Sequence, residues 1–358
     1  MPYLVAPTAM DGSRVFDAHT HLHKHATPED ALNRALANGV TDMLVCGTSP
    51  DDWEAVRALC AAHPSTLYPN LGVHPWYAGA AGPPSSWVGA LEAALRATPR
   101  CGVGECGLDF SPRGLAQSSE AVQVAALRAQ LALAAALRLP VSLHCVRAHR
   151  SLLDEVAALA AAGDAGLPRG LILHSWAGRP VDAARLQALL PCVFSFSGGL
   201  VASAARQLAG GERTPGCASR DTLASLSAVP PEARALETDA PDQPFCAHLT
   251  PQLLAAWGVE GAGGDSSSAT KGSAPAPADA AAAAEAAGSS ASGSSIAAGA
   301  PPCCATPSSS AQNSPEHLFH IARAAVTLLH GPEACSAALV HATASSATQR
   351  LQSFFARD

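Results

Sequence analysis

Eight short apolar runs, rich in β-forming residues, recur along the chain, and Ala/Leu-rich helical stretches separate them. This alternation constrains the fold more than any other feature, because strands joined by helices at this spacing predict βα units and a parallel sheet. Eight such units, over about 250 residues, predict a closed (β/α)8 TIM barrel. The predicted strands cover 14–21, 41–47, 67–75, 101–109, 140–146, 170–176, 191–198 and 234–240.

A doubly wound open sheet is the alternative arrangement of βα units. It is disfavoured because no glycine-rich phosphate-binding turn follows the first strand. The string GVGECG at 102–107 matches a dinucleotide-binding pattern, but it contains Glu105 and Cys106 and leads into LDF rather than a helix. We therefore do not interpret it as a nucleotide site.

The composition changes abruptly after the eighth strand. Residues 259–312 are mainly Ala, Ser, Gly and Pro, with almost no large apolar side chain. Such a segment cannot bury enough surface to offset its ordering entropy, which predicts a disordered insertion before the C-terminal helices. We expect 1–258 to form the main part of the barrel, and 313–358 to supply the C-terminal helices that complete it.

Charge and cysteine content narrow the class of protein. The formal net charge is −7, which argues against a broad basic surface that coats nucleic acid. A site that grips one phosphate through metal ions remains compatible with it, because bound cations dominate the local field. Eleven cysteines without a CxxC pair predict reduced thiols. No run of roughly 18 uninterrupted apolar residues and no signal-peptide pattern stand out, so we expect a soluble, cytoplasmic protein without a membrane partner.

Polar residues stand at the carboxyl ends of the predicted strands, where the active sites of such barrels assemble. Because side chains alternate along a strand, His19 and His21 point to the same face, into the barrel. Imidazole and carboxylate donors suit zinc, manganese or iron, and the carboxylates also suit magnesium. Any one of these residues has a simple structural explanation, so it is their joint position that predicts a metal site. The set is His19, His21, His74, Glu105, His144, His174 and Asp239.

His23 and His25 are the last two histidines of the stretch FDAHTHLHKH, residues 16–25. They follow the strand itself, so we expect them in an exposed loop, without a role in the site.

The run of motifs resembles the TatD family of metal-dependent deoxyribonucleases, within the amidohydrolase-like barrels. The resemblance covers nearly all of 14–258 and 313–358, with about one motif per strand in the family's order. The matching pieces are FDAHTHLH, GVHP, GECGLDF, SLHC, LHSWAG, FSGG, LETDAPDQP and, more weakly, NSPEHL.

The resemblance implies a site for two divalent metal ions (Mg, Mn or Zn). His19, His21 and Asp239 would hold one ion, His144 and His174 would hold the second, and Glu105 would bridge them. A related branch of these barrels uses a carboxylated lysine as the bridge. This chain has only Lys24 and Lys271, neither on a later barrel strand, which leaves Glu105.

The resemblance also implies metal-assisted hydrolysis of a phosphodiester in DNA. Asp239 would orient and deprotonate the attacking water, with Glu105 as its catalytic partner between the ions. Glu237 points the same way as Asp239 and is expected behind the ligands. His74 resembles the family's phosphate contact. Arg147 and Trp176 are the other candidate substrate contacts, and Trp176 would either stack on a base or wall the pocket.

The chain departs from the usual family pattern at positions expected to touch the substrate. Val146 stands where arginine is common, with Arg147 next, and Ser314 follows Asn313 where arginine is frequent. Three functions therefore stay open: a deoxyribonuclease that trims 3′ ends, a hydrolase of another ester or amide such as D-aminoacyl-tRNA, and a non-enzymatic barrel scaffold. The complete set of metal-site residues counts against the scaffold. Nothing in the sequence indicates the oligomeric state.

Overall fold

The computed structural model describes residues 14–162, 166–208, 221–243, 313–330 and 337–356. The predicted insertion, 259–312, lies outside these described residues. Eight parallel strands form a closed barrel in which each strand pairs with the next in the chain, and β8 pairs with β1. They are β1 (Phe16–Thr20), β2 (Asp42–Cys46), β3 (Leu67–Leu71), β4 (Gly102–Asp109), β5 (Val141–Val146), β6 (Leu171–Leu173), β7 (Cys192–Ser197) and β8 (Arg234–Glu237).

One or more helices follow each strand, which confirms the (β/α)8 prediction and excludes the open sheet. The α-helices among the described residues are α1 (Pro28–Ala37), α2 (Trp53–Ala62), α3 (Ala78–Ala81), α4 (Pro84–Ala97), α5 (Pro112–Gln117), α6 (Glu120–Leu137), α7 (His149–Ala161), α8 (Pro180–Leu189), α9 (Gly198–Leu208), α10 (Asp221–Ala228), α11 (Leu318–His330), α12 (Ala337–Ser345) and α13 (Thr348–Phe355).

Several strands end before the polar residue that the sequence places on them. His21, His74, His174 and Asp239 all lie one to three residues beyond the last residue of their strand. They are therefore on the first residues of the βα loops, at the carboxyl end of the barrel. The polar side chains of these loop residues meet His19, Glu105 and His144, which lie on the strands themselves.

The opposite, amino-terminal end of the barrel is closed by aromatic side chains. The Phe16 ring lies 4.9 Å from the Tyr68 ring, which lies 5.1 Å from the Phe355 ring of α13. Phe354 packs beside them so tightly that a Cβ added at Gly170 would lie 2.3 Å from its ring. The absence of a side chain at Gly170 is what lets α13 close this end.

The chain after residue 312 first lies at the carboxyl end of the barrel and only later, at α13, reaches the amino-terminal end. The Asn313 side-chain amide donates to the Thr238 carbonyl at 2.7 Å, which ties the returning chain to the end of β8. Helix α11 then packs against α9 and β8. The boundaries proposed for the barrel and its C-terminal helices stay predictions.

The sequence led us to expect no segment long and apolar enough to cross a membrane, and helix α6 is an exception. By length and composition alone its 18 residues meet that test. The run is interrupted by Arg128, but that side chain is exposed and pairs with Glu155 at 2.6 Å, so it does not break the apolar face. The helix packs against β4.

The cysteines of the described segments are buried thiols outside any disulfide: Cys46, Cys60, Cys101, Cys106, Cys145 and Cys192. Burial raises the pKa of Cys192 to about 12 and raises that of Cys60 further, so both thiols stay protonated at neutral pH. Protonated thiols are poor nucleophiles, which fits a packing role. The cytoplasmic location stays a prediction from composition.

Candidate metal centre

The Glu105 carboxylate lies at the centre of the barrel mouth, and its two oxygens face different histidines. Its Oε2 lies 3.4 Å from His19 Nε2 and 3.3 Å from His21 Nε2. Its Oε1 lies 3.0 Å from His144 Nδ1 and 2.9 Å from His174 Nε2. Glu105 is only 2% exposed. One buried carboxylate therefore joins two pairs of imidazoles.

Asp239 lies on the Oε2 side of Glu105. Its Oδ1 lies 3.7 Å from His19 Nε2 and 3.5 Å from His21 Nε2. The residue has a φ of 50°, in the left-handed region, and its backbone N–H donates to the His19 carbonyl at 2.9 Å. This bend turns the carboxylate back over β1.

The two oxygens of Asp239 have different surroundings. Gln243 donates its side-chain amide to Oδ2 at 2.8 Å. Oδ1 is buried and accepts no hydrogen bond. A buried carboxylate oxygen without a donor, facing two imidazole nitrogens, is what a cation site requires. The donor set therefore fits a divalent metal ion.

Three groups of donor atoms at the mouth are close enough to share an ion, with all atoms of a group within 4.8 Å of one another. They are His19, His21 and Asp239; His19, Glu105 and His174; and His74, Glu105 and His144. The structure thus brings together all seven polar residues that the sequence places at strand ends.

The outer nitrogens of three of these imidazoles face oxygen acceptors. The contacts are His21 Nδ1 to the Cys46 carbonyl at 2.7 Å, His144 Nε2 to Asp109 Oδ2 at 3.3 Å, and His174 Nδ1 to Glu237 Oε1 at 3.3 Å. An acceptor there places the ring proton on the outer nitrogen of a neutral imidazole. The inner nitrogen, which faces Glu105, then keeps the lone pair that a metal needs.

His74 has the opposite arrangement. Its Nδ1 accepts the backbone N–H of Trp76 at 3.2 Å, so in the neutral ring the proton lies on Nε2. That Nε2 lies 3.4 Å from Glu105 Oε1. By distance alone His74 belongs to a metal group, but a protonated nitrogen donates a hydrogen bond and cannot coordinate. Its local partner therefore separates His74 from the other histidines.

Charge is balanced within the cluster by opposing effects. Burial by itself raises the pKa of Glu105, but the imidazoles of His74 and His174 outweigh it and hold that pKa well below its usual range. Burial lowers the pKa of both His19 and His74 to about 4, so these rings are neutral at pH 7. Glu105 is therefore ionised at neutral pH.

His174 is affected in the other direction. Burial lowers its pKa, but Glu105 and Glu237 outweigh burial and raise that pKa well above its usual range. Without a cation, this imidazolium offsets part of the negative charge of the carboxylates. A bound cation would supply that positive charge and leave the ring neutral.

Glu237 and Asp109 lie behind two of the histidines, on the side away from Glu105. Glu237 is fully buried and contacts His174, in agreement with its predicted place behind the ligands. Asp109, which contacts His144, was not predicted. Its signal was present, because it lies four residues after Glu105 on β4 and in the same GECGLDF motif.

Trp176 is buried in the barrel wall, which fits the second of its two expected positions and not a stack on a base. It is 1% exposed, and its ring packs 5.1 Å from Phe194 and 5.0 Å from His149. The chain turns sharply at Ser175, with a φ of 47°, and the Trp176 backbone N–H donates to the Ser195 carbonyl at 2.9 Å. This turn carries the indole into the barrel wall and leaves no face for a base.

Arg147 is exposed and lies just beyond β5, with a φ of 56°. Its predicted contact with phosphate stays a prediction.

His23 and His25 are not exposed, contrary to expectation. Residues Leu22–Lys24 form a single 3-10 turn directly after β1, so the chain folds back over the barrel instead of leaving it. The His23 side chain is 3% exposed and lies 3.5 Å from Asp52, and His25 is 8% exposed. Neither belongs to the groups of donor atoms described above.

The family model described as TatD related DNase matches residues 16–342. A 3′-5′ ssDNA/RNA exonuclease TatD from Yersinia pseudotuberculosis is 40% identical over 127 residues, 34% of this chain and 45% of that protein. The protein of the same name from Klebsiella pneumoniae is 36% identical over 219 residues, 60% of this chain and 72% of that protein. The chain spans about half the length of several such curated relatives.

Solved structures agree with the fold. The TatD homologue YJJV from Escherichia coli K12 is 26% identical, with a TM-score of 0.52, over 68% of this chain and 90% of that chain. An uncharacterized amidohydrolase from Saccharomyces cerevisiae is 16% identical, with a TM-score of 0.59, over 95% of this chain and 99% of that chain, and supports the barrel alone. Since the family model covers most of the sequence, the chain belongs to the TatD-related DNase family.

Proposed function

We propose that the protein is a metal-dependent hydrolase that cleaves phosphodiester bonds of single-stranded DNA from the 3′ end. One observation carries the proposal: the two oxygens of buried Glu105 face two separate pairs of imidazoles. A bridging carboxylate between two sets of nitrogen donors is the arrangement that a two-metal site needs. The names of the relatives, 3′-5′ ssDNA/RNA exonucleases, supply the substrate class.

In this proposal His19, His21 and Asp239 would hold one divalent ion, and His144 and His174 would hold the second. Each would be Mg, Mn or Zn, and Glu105 would serve both. Bound ions of this kind lower the pKa of water and neutralise charge that develops on phosphoryl oxygens. His21, His144 and His174 present lone pairs inward because Cys46, Asp109 and Glu237 accept from their outer nitrogens.

Asp239 is the general base. Gln243 holds its Oδ2, so Oδ1 is the oxygen that faces the centre. From there it would accept a proton of the attacking water as the bond from that water's oxygen to phosphorus forms and the bond from phosphorus to the leaving nucleotide oxygen breaks. The leaving oxygen then takes up a proton from solvent. The fixed geometry of Asp239, set by its backbone bond to His19, keeps that oxygen in place.

His74 binds the phosphate in this proposal. Its Nε2 carries the ring proton and is aimed at the centre, so it donates to an anionic oxygen rather than coordinating an ion. At pH 7 the ring is neutral, because burial lowers its pKa to about 4. Arg147, at the exposed edge of the mouth, supplies positive charge to the same phosphate.

A substrate panel tests the proposal. Purified protein is incubated with labelled single-stranded DNA, duplex DNA and aminoacyl-tRNA, with Mg²⁺, Mn²⁺ or Zn²⁺ or with chelator. We expect stepwise shortening of single-stranded DNA from its 3′ end, which chelator abolishes and added metal restores. Hydrolysis of the aminoacyl ester with intact DNA would instead assign the site to another ester, and no hydrolysis of any substrate would favour a scaffold.

A further inference from the structure

Trp76 is a half-buried aromatic residue at the edge of the metal centre, in the loop after β3. Its indole centroid lies 5.1 Å from that of His74 and 6.3 Å from that of His144, with the rings edge to face. Nothing in the proposed chemistry of hydrolysis uses it. Unlike Trp176, it lies at the mouth rather than in the barrel wall.

The indole is held in one orientation. Its Nε1–H donates to Asp109 Oδ2 at 2.6 Å, and the same carboxylate oxygen contacts His144. The backbone N–H of Trp76 donates to His74. The ring is therefore held by residues that also contact the site, which sets its position relative to His74 and His144.

Arg113 of α5 covers the indole, with its guanidinium carbon 4.0 Å from the ring centroid. The residue is exposed. An arginine stacked on tryptophan presents a planar, positively charged surface. Tyr77, which is 41% exposed, adds a second aromatic ring next to His74.

We infer that Trp76 and Arg113 form a stacking platform for the nucleobase next to the scissile phosphate. Nucleobases stack on aromatic rings and guanidinium planes with little sequence preference, because every base has a π face. A phosphate held by His74 has its attached nucleoside within reach of the neighbouring indole. The platform would thus give an acidic protein its grip on single-stranded nucleic acid without a broad basic surface. The inference rests on the proposed function.

The test compares two oligonucleotides that differ only in whether the 3′-terminal nucleotides carry bases or are abasic. In wild-type protein the base-containing strand should have a KM at least about fivefold lower than the abasic strand, from the size of one base–aromatic stack. Arg113→Ala and Trp76→Leu should raise KM for the base-containing strand toward the abasic value. For the abasic strand, Arg113→Ala should raise KM by a smaller factor than for the base-containing strand, because no base is lost from the stack.

Two further variants separate stacking from a structural effect. Trp76→Phe keeps a π face and loses the bond to Asp109, so it should restore the preference for bases that Trp76→Leu loses. Arg100→Ala removes a similar contact, with Arg100 4.1 Å from the Tyr68 ring near the opposite end of the barrel, and should keep the wild-type preference. Equal KM values for both strands in wild-type protein would overturn the platform alone. Failure to cleave either strand with any divalent ion would overturn the proposed function as well.

Discussion

The two ends of the barrel bury opposite chemistry. The amino-terminal end is closed by Phe16, Tyr68, Phe354 and Phe355, whose rings pack on one another. The carboxyl-terminal end buries imidazoles and carboxylates around Glu105 at similar exposure. Apolar burial stabilises a fold, whereas buried charges cost free energy unless they are paired or bind a cation. The amino-terminal end of the barrel should therefore stabilise the fold, and the carboxyl-terminal end should carry out the hydrolysis.

The largest expected effect is at the mouth. Glu105→Ala removes the carboxylate that faces both pairs of imidazoles, so we expect hydrolysis to be abolished and bound metal to fall. Activity and metal content are measured together after dialysis against the metal. Glu92→Ala, an exposed carboxylate paired with Arg96, is the control and should behave as wild type. Undiminished hydrolysis by Glu105→Ala would show that hydrolysis does not depend on this site.

The largest effect at the amino-terminal end of the barrel is on the stability of the fold. Phe354→Ala removes a ring that is 4% exposed and should lower the free energy of unfolding by about 3–5 kcal/mol. The rate per folded molecule should stay close to that of wild type, because the ring lies at the other end of the barrel. Denaturant unfolding and kcat, measured on the same sample, show whether the two ends are separable. A folded Phe354→Ala protein without activity would mean that they are not.

Asp239→Asn tests the base proposed for catalysis. Asparagine keeps a ligand oxygen but cannot take a proton at neutral pH, so the rate should fall at least roughly a hundredfold. Much of the bound metal should remain, and the thermal midpoint should change little. The exposed pair of Asp154 with Arg150 provides the control, since Asp154→Asn removes the same charge away from the mouth. If Asp239→Asn hydrolyses its substrate at the wild-type rate, another residue is the general base.

His74→Ala should have a smaller effect. Loss of one hydrogen bond to a charged oxygen costs about tenfold in kcat/KM for a phosphodiester. Metal content should equal that of wild type, because the His74 nitrogen facing the centre carries a proton. Loss of bound metal in this variant would instead make His74 a ligand, as its distances alone allow.

The architecture and the donor set could be predicted from sequence because both follow from regular patterns. Eight β-rich runs with helices between them specify the barrel, and closure brings all carboxyl ends to one mouth. The regular pattern did not predict the position of Trp176, because the backbone turns sharply at Ser175 just before it. It did not predict the positions of His23 and His25 either, because a 3-10 turn, rather than an extended loop, follows β1.

The tautomers of the histidines also lay beyond the sequence. Whether a ring nitrogen binds a cation or donates a hydrogen bond depends on the group behind it. For His74 that group is the Trp76 backbone, and for His144 it is the Asp109 carboxylate. Such partners come from loop paths and from side-chain packing, which have no periodic signature.

The central claim is that the mouth holds two divalent ions bridged by Glu105. Anomalous diffraction from crystals loaded with Mn²⁺ or Zn²⁺ tests it most directly. We predict two peaks about 3.5–4 Å apart, with Glu105 touching both. One peak should contact His19, His21 and Asp239, and the other His144 and His174. A single peak, peaks away from Glu105, or an ion bound through His74 would contradict the account.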